Sequence, residues 1–176
     1  MITIHERQEL SEKEKGEVWQ ILIESDREFV PSLSARNSTV QQDLQDTNKK
    51  ELPSAYFAAL QEQSFLLAKE GEETLGFLSY RQGYVLEKLG KETYTYVSTI
   101  IVRRPYRGQG ITAQLYQHLR KITEEKVLLR TWSSNTAHTA VLTKLGFREV
   151  LRIPDDRGEG IDTVYYCFGR ERSPLQ

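Results

Sequence analysis

Two different spacings of apolar residues alternate along the chain and indicate both strands and helices. The β-branched and aromatic run from Thr93 to Val102 predicts a long strand, and the run from Lys126 to Trp132 predicts a second, buried strand. Between them, four apolar residues at helical intervals predict one face of a helix: Ile111, Leu115, Leu119 and Ile122. The middle of the chain is therefore a strand–helix–strand unit.

The N-terminal part of the chain predicts a strand followed by two helices. Ile2 to Ile4 read as a short strand, and the segment Ser11 to Glu14 has the form of a capping box, which opens a helix running to about Glu28. A second short helix opens at Pro53-Ser54. The polar stretch from Pro31 to Lys50 between the helices predicts a long loop, a feature that is often functional.

The remaining segments predict two hairpins and one more helix. Phe65 to Ala68 and Leu75 to Tyr80 pair across a Gly-containing turn, and Tyr84 to Leu86 either extends the second strand or bulges from it. Asn135 caps a helix through Leu145, and Gly146 is placed as the left-handed residue after its end. The chain then forms a hairpin with strands at 147–153 and 162–168.

The resulting order, β-α-α-β-β-β-α-β-α-β-β, predicts an α+β fold in three layers, with one mixed sheet and helices on its faces. The 176-residue length fits a single domain, which we expect over residues 1–170 with a polar tail at 171–176. Apolar residues at 38% and charged residues at 28% are typical of a globular chain.

Charge and cysteine content narrow the function classes. The 24 basic and 25 acidic residues give a net charge of -1, which argues against bulk nucleic-acid binding, although Arg103, Arg104 and Arg107 form a local basic patch. Cys167 is the only cysteine, so no intrachain disulfide can form. The N-terminus lacks the apolar region of a signal peptide, and no apolar run reaches the roughly 20 residues of a membrane helix. We therefore expect a cytoplasmic protein.

The segment from Arg107 to Thr112, between the long strand and the helix, has the composition of an anion site. Unpaired N–H groups at a helix N-terminus attract a phosphate, and Gly108 and Gly110 permit close approach of the backbone. A Walker A loop needs a Gly-Lys-Ser/Thr end, which is absent, and a dinucleotide fingerprint needs glycine where Ala113 stands.

This segment, Arg107-Gly108-Gln109-Gly110-Ile111-Thr112, resembles motif A of the GNAT superfamily of N-acetyltransferases, whose form is Arg/Gln-x-x-Gly-x-Gly/Ala. A second signature of that family, an Asn followed by a short helix and Leu-Gly-Phe, is similar to Asn135 through Leu145-Gly146-Phe147. The resemblance is specific over about residues 93–150.

The resemblance implies a mixed, mostly antiparallel sheet of about seven strands, splayed between the fourth and fifth, with helices on both faces. It implies acetyl-CoA as co-substrate, direct attack of an amine on the thioester, and no metal. Backbone groups of Ile101 and Val102 would pair with the pantetheine arm, and backbone amides between Arg107 and Thr112 would hold the pyrophosphate. The implied cofactor-binding residues are Ile101, Val102, Arg107, Gly108, Gln109, Gly110, Ile111, Thr112 and Asn135.

Three positions depart from the family pattern. Thr112 stands where Gly or Ala is usual, and His138 stands where Ala is usual. Leu142 stands where the family often has a Tyr that protonates the departing thiolate. Catalytic residues are therefore not assigned, and the possible substitutes, besides water, are Tyr165, Tyr166, Ser133 and Ser134.

Several other side chains have both a functional and a structural interpretation. His138 is either a base or an exposed or packed helix residue without a catalytic role, and the second is favoured. Glu28 and Arg36 either reach a substrate or only pack in the loop. Cys167 reads as a small buried hydrophobe. Four acids form either a solvated turn, which is favoured, or an acidic lip that attracts a cationic amine: Asp155, Asp156, Glu159 and Asp162.

The sequence thus predicts an N-acetyltransferase that moves an acetyl group from acetyl-CoA to a primary amine, with no nucleic-acid or membrane partner and a possible homodimer. The favoured acceptor is a small molecule, and the alternative is an amine of a peptide or protein. Because of Leu142, a non-catalytic acyl-CoA-binding or sensing module on the same fold stays open. A nucleic-acid-binding protein that uses the three arginines is the third alternative.

Overall fold

The computed structural model describes residues 1–42, 44 and 52–169. Positions 43 and 45–50 of the predicted loop, and the predicted tail 171–176, lie outside the described residues. The helices are α1 (Glu12–Ser25), α2 (Ser54–Leu60), α3 (Ile111–Ile122) and α4 (Thr136–Lys144). The strands are β1 (Ile2–Arg7), β2 (Ser64–Glu70), β3 (Glu73–Val85), β4 (Thr93–Val102), β5 (Lys126–Trp132), β6 (Arg148–Ile153) and β7 (Thr163–Phe168).

The seven strands form one sheet in the order β1-β2-β3-β4-β5-β7-β6. Every neighbouring pair is antiparallel except β4 and β5, which are parallel because α3 connects them. The predicted element order and the mixed three-layer α+β fold are confirmed.

The helices cover both faces of the sheet. On one face, Ile21 and Leu22 of α1 and Leu60 of α2 pack against Leu67 and Phe77. The opposite face carries the larger core, where α3 and α4 contribute residues to the cluster formed by the sheet: Ile111, Leu115, Tyr116, Leu119 and Leu142. Any ligand held within the sheet therefore lies between two helical layers.

The first helix is shorter than the sequence predicts. The capping box is present, since Ser11 Oγ accepts from the Glu14 N–H and the Glu14 carboxylate accepts from the Ser11 N–H. The α-helix ends at Ser25 rather than Glu28, and residues 26–28 form a 3-10 turn. The cause is Asp26, whose carboxylate accepts the N–H and hydroxyl of Ser34 at 2.6 and 2.7 Å and binds the following segment against the helix end.

β3 is continuous to Val85, so Tyr84 belongs to the strand. Its pairing with β4 shifts between Arg81 and Tyr84, where Gly83 has a φ of 68°. The strand therefore both continues and bulges, which are the two outcomes that the sequence left open.

β4 and β5 separate halfway along their length. Their parallel pairing ends at Val97 and Leu129. At the same place the register of β4 against β3 shifts, so that Ser98 is an extra residue and forms a bulge. Beyond this bulge the two strands diverge, which confirms the predicted splay.

Candidate active site

A cavity of about 430 Å³ fills the gap between the diverging ends of β4 and β5. The start of α3, the start of α4 and the end of the α1 region complete its walls. We call this cavity the cleft. Gln109 is exposed and does not line it. The other eight predicted cofactor-binding residues do: Ile101, Val102, Arg107, Gly108, Gly110, Ile111, Thr112 and Asn135.

The turn before α3 opens a helix N-terminus to the cleft. Gly108 and Gly110 have φ values of 81° and 78°, a left-handed conformation that favours glycine. Gly110 occupies the N-cap position without a side-chain cap, and the first helical bond runs from the Gln114 N–H to the Gly110 carbonyl at 3.0 Å. The amides of residues 111–113 therefore have no partner within the helix and are suited to an anion.

Arg107 is held by two partners at the mouth of the cleft. Its Nε donates to the Val102 carbonyl at 2.8 Å, and its two terminal nitrogens donate to both carboxylate oxygens of Glu28 at 2.7 and 2.8 Å. These hydrogen bonds keep the pKa of Glu28 below its ordinary value, although burial opposes the shift, and they raise the pKa of Arg107. Glu28 is thus an ion-pair partner rather than a free base.

The basic patch predicted from the sequence is largely neutralised. Arg104 also reaches Glu28, at 3.5 Å. Arg103 pairs with Glu24 at 3.2 Å and with Glu73 at 3.3 Å. This pairing leaves little net positive potential for a nucleic-acid backbone.

The backbone of β4 presents alternate residues to the cleft. Arg103 donates its N–H to the Leu75 carbonyl at 2.8 Å, so its hydrogen-bonding groups face β3. Because hydrogen-bonded pairs alternate along an antiparallel ladder, those of Ile101 also face β3, whereas those of Ile100 and Val102 face the gap toward β5. The gap therefore offers an unpaired strand edge at Ile100 and Val102, not at Ile101.

Sequence comparison identifies the protein family. The model of the acetyltransferase (GNAT) family matches residues 30–147. The chain belongs to this acetyltransferase family. No curated protein matches the chain by sequence.

Solved structures share the fold over nearly the whole length of this GNAT chain. The N-acetyltransferase of Staphylococcus aureus Mu50 has a TM-score of 0.66 at 16% identity and covers 96% of this chain and 98% of its own. Arabidopsis thaliana NAA60 in complex with acetyl-CoA has a TM-score of 0.63 at 16% identity, with coverages of 96% and 98%. The ribosomal-protein-S18-alanine N-acetyltransferase of Escherichia coli has a TM-score of 0.63 at 18% identity, with coverages of 100% and 99%.

On the α4 side of the GNAT cleft, His138 lines the wall, and Leu142 stands at the position where a tyrosine acid was considered. Leu142 is fully buried in the core. His138 lines the cleft, and its Nε2 lies 2.8 Å from the hydroxyl of Tyr116. Burial lowers the pKa of His138 to about 4, which makes it a weak base. The packed interpretation of His138 agrees with this geometry.

Asn135 occupies the N-cap position of α4 but does not cap the helix with its side chain. Its Nδ2 donates instead to Thr131 Oγ1 at 3.2 Å, which turns the amide toward β5 at the wall of the cleft. None of the four substitutes considered for the missing acid lines the cleft: Ser133, Ser134, Tyr165 and Tyr166.

The end of the cleft beside the α1 region has aromatic and polar walls that the sequence did not reveal. The rings of Phe29 and Trp132 are 5.4 Å apart, and Arg130 lies beside them in the lining. Ser98 also lines the cleft, and its buried hydroxyl has no hydrogen-bond partner among the described residues. These residues come from distant segments, so only the β4 bulge and the loop after α1 bring them together.

The acidic turn between β6 and β7 is largely satisfied within itself. Asp162 accepts from Arg152 at 2.9 Å and from the Asp155 N–H at 2.9 Å, and Asp156 accepts from Thr163. The favoured interpretation, a solvated turn, agrees with these bonds. The buried side chain of this turn is a cation, Arg157.

The described residues, 1–42, 44 and 52–169, contain neither a cluster of metal ligands nor a membrane-spanning helix. Within these ranges, no group of three or more His, Cys, Asp or Glu side chains is placed to hold a metal ion. No helix in the same ranges is long and apolar enough to cross a membrane. Cys167 is a partly buried free cysteine that packs beside an aromatic cluster.

Proposed function

We propose that this protein transfers the acetyl group of acetyl-CoA to a primary amine of a small molecule, by direct attack of the amine on the thioester. The observation that carries the proposal is the separation of β4 and β5 beyond Val97 and Leu129, which opens a cleft through the sheet. One end of this cleft meets the unpartnered amides of α3, and the other meets Phe29, Trp132 and Arg130. Two substrates approaching from opposite ends would meet near the bulge at Ser98.

The residues around the cleft fit acetyl-CoA. A Cβ built on Gly108 or Gly110 would meet nothing within 4 Å, so the turn is open to a pyrophosphate. The edge formed by Ile100 and Val102 can pair with the amides of an extended pantetheine arm, as an added strand does. Asn135, on the opposite wall, offers a side-chain amide to the same arm.

The chemistry requires few charged groups. The lone pair of a neutral amine forms the new C–N bond, the C–S bond breaks, and the CoA sulfur leaves with the electron pair. The amine gives up one proton, and the thiolate takes up one proton. Because the reference pKa of a thiol is about 8.5, a thiolate is a good leaving group even without a general acid. We therefore expect the leucine at position 142 to slow acetyl transfer less than a loss of substrate orientation would.

Proton removal from the acceptor falls to water in this proposal. The cleft lining contains one described carboxylate and one described imidazole: Glu28 is held by Arg107, and His138 has a pKa of about 4. Neither is a strong base near neutral pH. The unpartnered hydroxyl of Ser98 offers a site for such a water. The free state of Cys167 suits the reducing, cytoplasmic location that is part of the proposal.

The test is a calorimetric titration with acetyl-CoA, followed by a thiol-release assay over a panel of primary amines. Gly110→Glu should abolish saturable binding, because a carboxylate would then occupy the anion site. Gly71→Glu is the matched control, since Gly71 also has a positive φ but lies in the turn between β2 and β3.

Three outcomes separate the alternatives. Binding and amine-dependent thiol release support the proposal. Tight binding without thiol release over the whole panel favours the non-catalytic acyl-CoA module. No binding by a folded protein would overturn the assignment of the cleft to CoA.

A further inference from the structure

Three arginines converge behind the Phe29 and Trp132 end of the cleft. Arg36 follows α1, Arg130 belongs to β5, and Arg157 comes from the turn between β6 and β7. Arg36 and Arg157 are only 6% and 7% exposed. Arg130 lines the cleft itself. We call these residues the arginine cluster.

Ring contacts fix the cluster against the cleft wall. The Arg36 guanidinium lies 5.7 Å from the centre of the Phe29 ring, and the Arg157 guanidinium lies 5.6 Å from that of Trp132. The two rings are in contact with each other and form one part of the cleft wall, so Arg36 and Arg157 lie on either side of it. Arg130 of β5 belongs to the same part of the wall.

Arg36 and Arg157 stabilise the loop after α1 through hydrogen bonds to its backbone. Arg36 donates through Nε and Nη2 to the Pro31 carbonyl at 3.1 and 3.0 Å. Arg157 donates through Nη1 to the Val30 carbonyl at 2.8 Å. These bonds hold the loop after α1 against the sheet.

The side-chain partner of Arg130 is the hydroxyl of Tyr165, which leaves part of its guanidinium unpaired. Its Nη2 is buried and has no hydrogen-bond partner among the described residues. Its electrostatic neighbours include the phenols of Tyr56, Tyr96 and Tyr165, and a phenol is uncharged near neutral pH. Such a buried, unpaired donor is costly unless another group binds it.

The charges near the cluster do not balance. Asp26 lies near Arg36, and Asp156 is joined to Arg157 through the hydroxyl of Thr163. No described carboxylate forms a salt bridge with any of the three guanidiniums. Three positive charges therefore face two negative ones, and the excess charge lies on Arg130, beside the cleft.

The arginines also repel one another. Burial is the main cause that lowers the pKa of Arg36 to about 10, and Arg130 adds to it. Burial, Arg36 and Arg130 lower the pKa of Arg157 to about 9. Arg103, Arg107 and Arg152 show the opposite shift because each is paired with a carboxylate. Burial also opposes the charge of Arg130, but the phenols around it and a hydrogen bond with Tyr165 raise its pKa, so Arg130 stays charged. An anion placed against the cluster would relieve this repulsion.

We propose that Arg130, supported by Arg36 and Arg157, binds an oxyanion group of the acceptor, so that the acceptor is an amine that also carries a carboxylate or a phosphate. This inference rests on the proposed function, because it assigns this end of the cleft to the acceptor. The planar guanidinium matches both oxyanions by paired hydrogen bonds. An amine without an anionic group leaves the excess charge unpaired.

The first experiment compares matched acceptors in the thiol-release assay. Alanine is compared with alaninamide, glutamine with glutaminamide, and 2-aminoethyl phosphate with ethanolamine, each at a fixed concentration of acetyl-CoA. We expect kcat/KM to be at least tenfold higher for the anionic member of a pair. The pair with the larger ratio distinguishes a carboxylate site from a phosphate site.

Substitutions then connect that preference to Arg130. Arg130→Met should abolish the preference for the anionic member while acetyl-CoA binding stays within about twofold of the parent, and Arg130→Lys should restore part of it. Arg81→Met is the control, because Arg81 is an exposed arginine of β3 that does not line the cleft. Unfolding curves of all variants confirm that they fold.

A binding experiment tests the inference without requiring that any amine be acetylated. N-acetylalanine and N-acetylalaninamide are titrated into the protein, with and without CoA, and followed by protein-detected NMR. Preferential binding of N-acetylalanine that Arg130→Met removes supports the anion site even if no amine is acetylated. Equal turnover of acid and amide would overturn the inference and leave the proposed function intact. Equal or absent binding of both N-acetyl compounds, with no anionic preference in any acceptor pair, would also overturn it.

Discussion

Arg107 and Glu28 join the two sides of the cleft mouth through a bidentate ion pair, with nitrogen–oxygen distances of 2.7 and 2.8 Å. Arg107 precedes α3 and Glu28 follows α1, so the pair spans 79 residues of sequence. Both side chains are partly exposed, and such pairs contribute only about 0.2–1 kcal/mol to stability. A pyrophosphate at the α3 N-terminus would lie beside both charges, and Glu28 then competes with it for Arg107.

This competition predicts opposite effects of the two partners on acetyl-CoA affinity. Arg107→Gln should weaken binding about tenfold, because a charge-assisted hydrogen bond is lost in a partly exposed site. Glu28→Gln should tighten binding about threefold, because Arg107 is released and a repulsive charge is removed. Calorimetric titration of both variants measures the effects. Weaker binding by Glu28→Gln would instead mean that Glu28 holds Arg107 in its productive position.

Substitution of Gly110, in the turn before α3, should affect acetyl-CoA affinity and folding stability in separable ways. Gly110→Ala and Gly71→Ala should each cost about 1–2 kcal/mol of unfolding free energy, since both positions have a positive φ and open space around the added Cβ. Only Gly110→Ala should weaken acetyl-CoA binding, by tenfold or more, because its methyl group would occupy the anion site. Urea unfolding and calorimetry measure the two quantities. Equal affinities of the two variants would remove the turn from the binding site.

Local patterns were sufficient to predict the elements that build the cofactor end of the cleft. The capping box at Ser11, the period of α3 and the left-handed Gly146 are encoded within a few residues. The divergence of β4 and β5 was expected only through the family resemblance. The register of β4 against β3 determines which residues of β4 face the gap. A bulge at Ser98 sets that register, and no local sequence pattern predicts the bulge.

The acceptor end of the cleft could not be predicted because its residues are distant in sequence. Arg130 reads as an ordinary residue of a buried strand, and Arg157 reads as part of an acidic turn. Their proximity follows from the pairing of β5 with β7 and from the loop after α1, which Asp26 binds to the helix end. The sequence offers Arg36 and Glu28 as candidates from this loop, and tertiary contacts alone assign Arg36 to the cluster.

Glu14 predicts a specific loss of stability in acid. Burial opposes its ionisation, but hydrogen bonds from Lys69 and the Ser11 N–H, together with the charges of Lys69 and Arg7, lower its pKa to about 2. The unfolded chain takes up a proton near pH 4.5, whereas the folded chain does not until about pH 2. The stabilisation, about 3 kcal/mol, is therefore complete above pH 4.5 and is lost as pH falls through that window.

Glu14→Gln tests this prediction. At pH 7 it should lower the free energy of unfolding by about 2–3 kcal/mol, since Lys69 is left buried without its partner, and it should flatten the stability profile below pH 4.5. The control is Glu12→Gln, because Glu12 is 92% exposed and its pair with Lys15 contributes little. A profile below pH 4.5 that is as steep in Glu14→Gln as in the parent would contradict the assignment.

His138 acts in a different pH window, which separates its structural role from a catalytic one. Burial lowers its pKa from 6.5 to about 4, so the unfolded chain binds a proton between these values and the folded chain does not. Stability should therefore fall as pH decreases from 6.5 to 4, by about 3 kcal/mol, and His138→Gln should remove that loss. The same variant should leave the pH dependence of kcat/KM unchanged above pH 5, because the imidazole is already neutral there. Urea unfolding at pH 7 and 5 and the pH profile of thiol release measure the two effects. Loss of an ionisation near neutral pH from the kcat/KM profile of His138→Gln would make His138 the general base and would replace the water in the proposed mechanism.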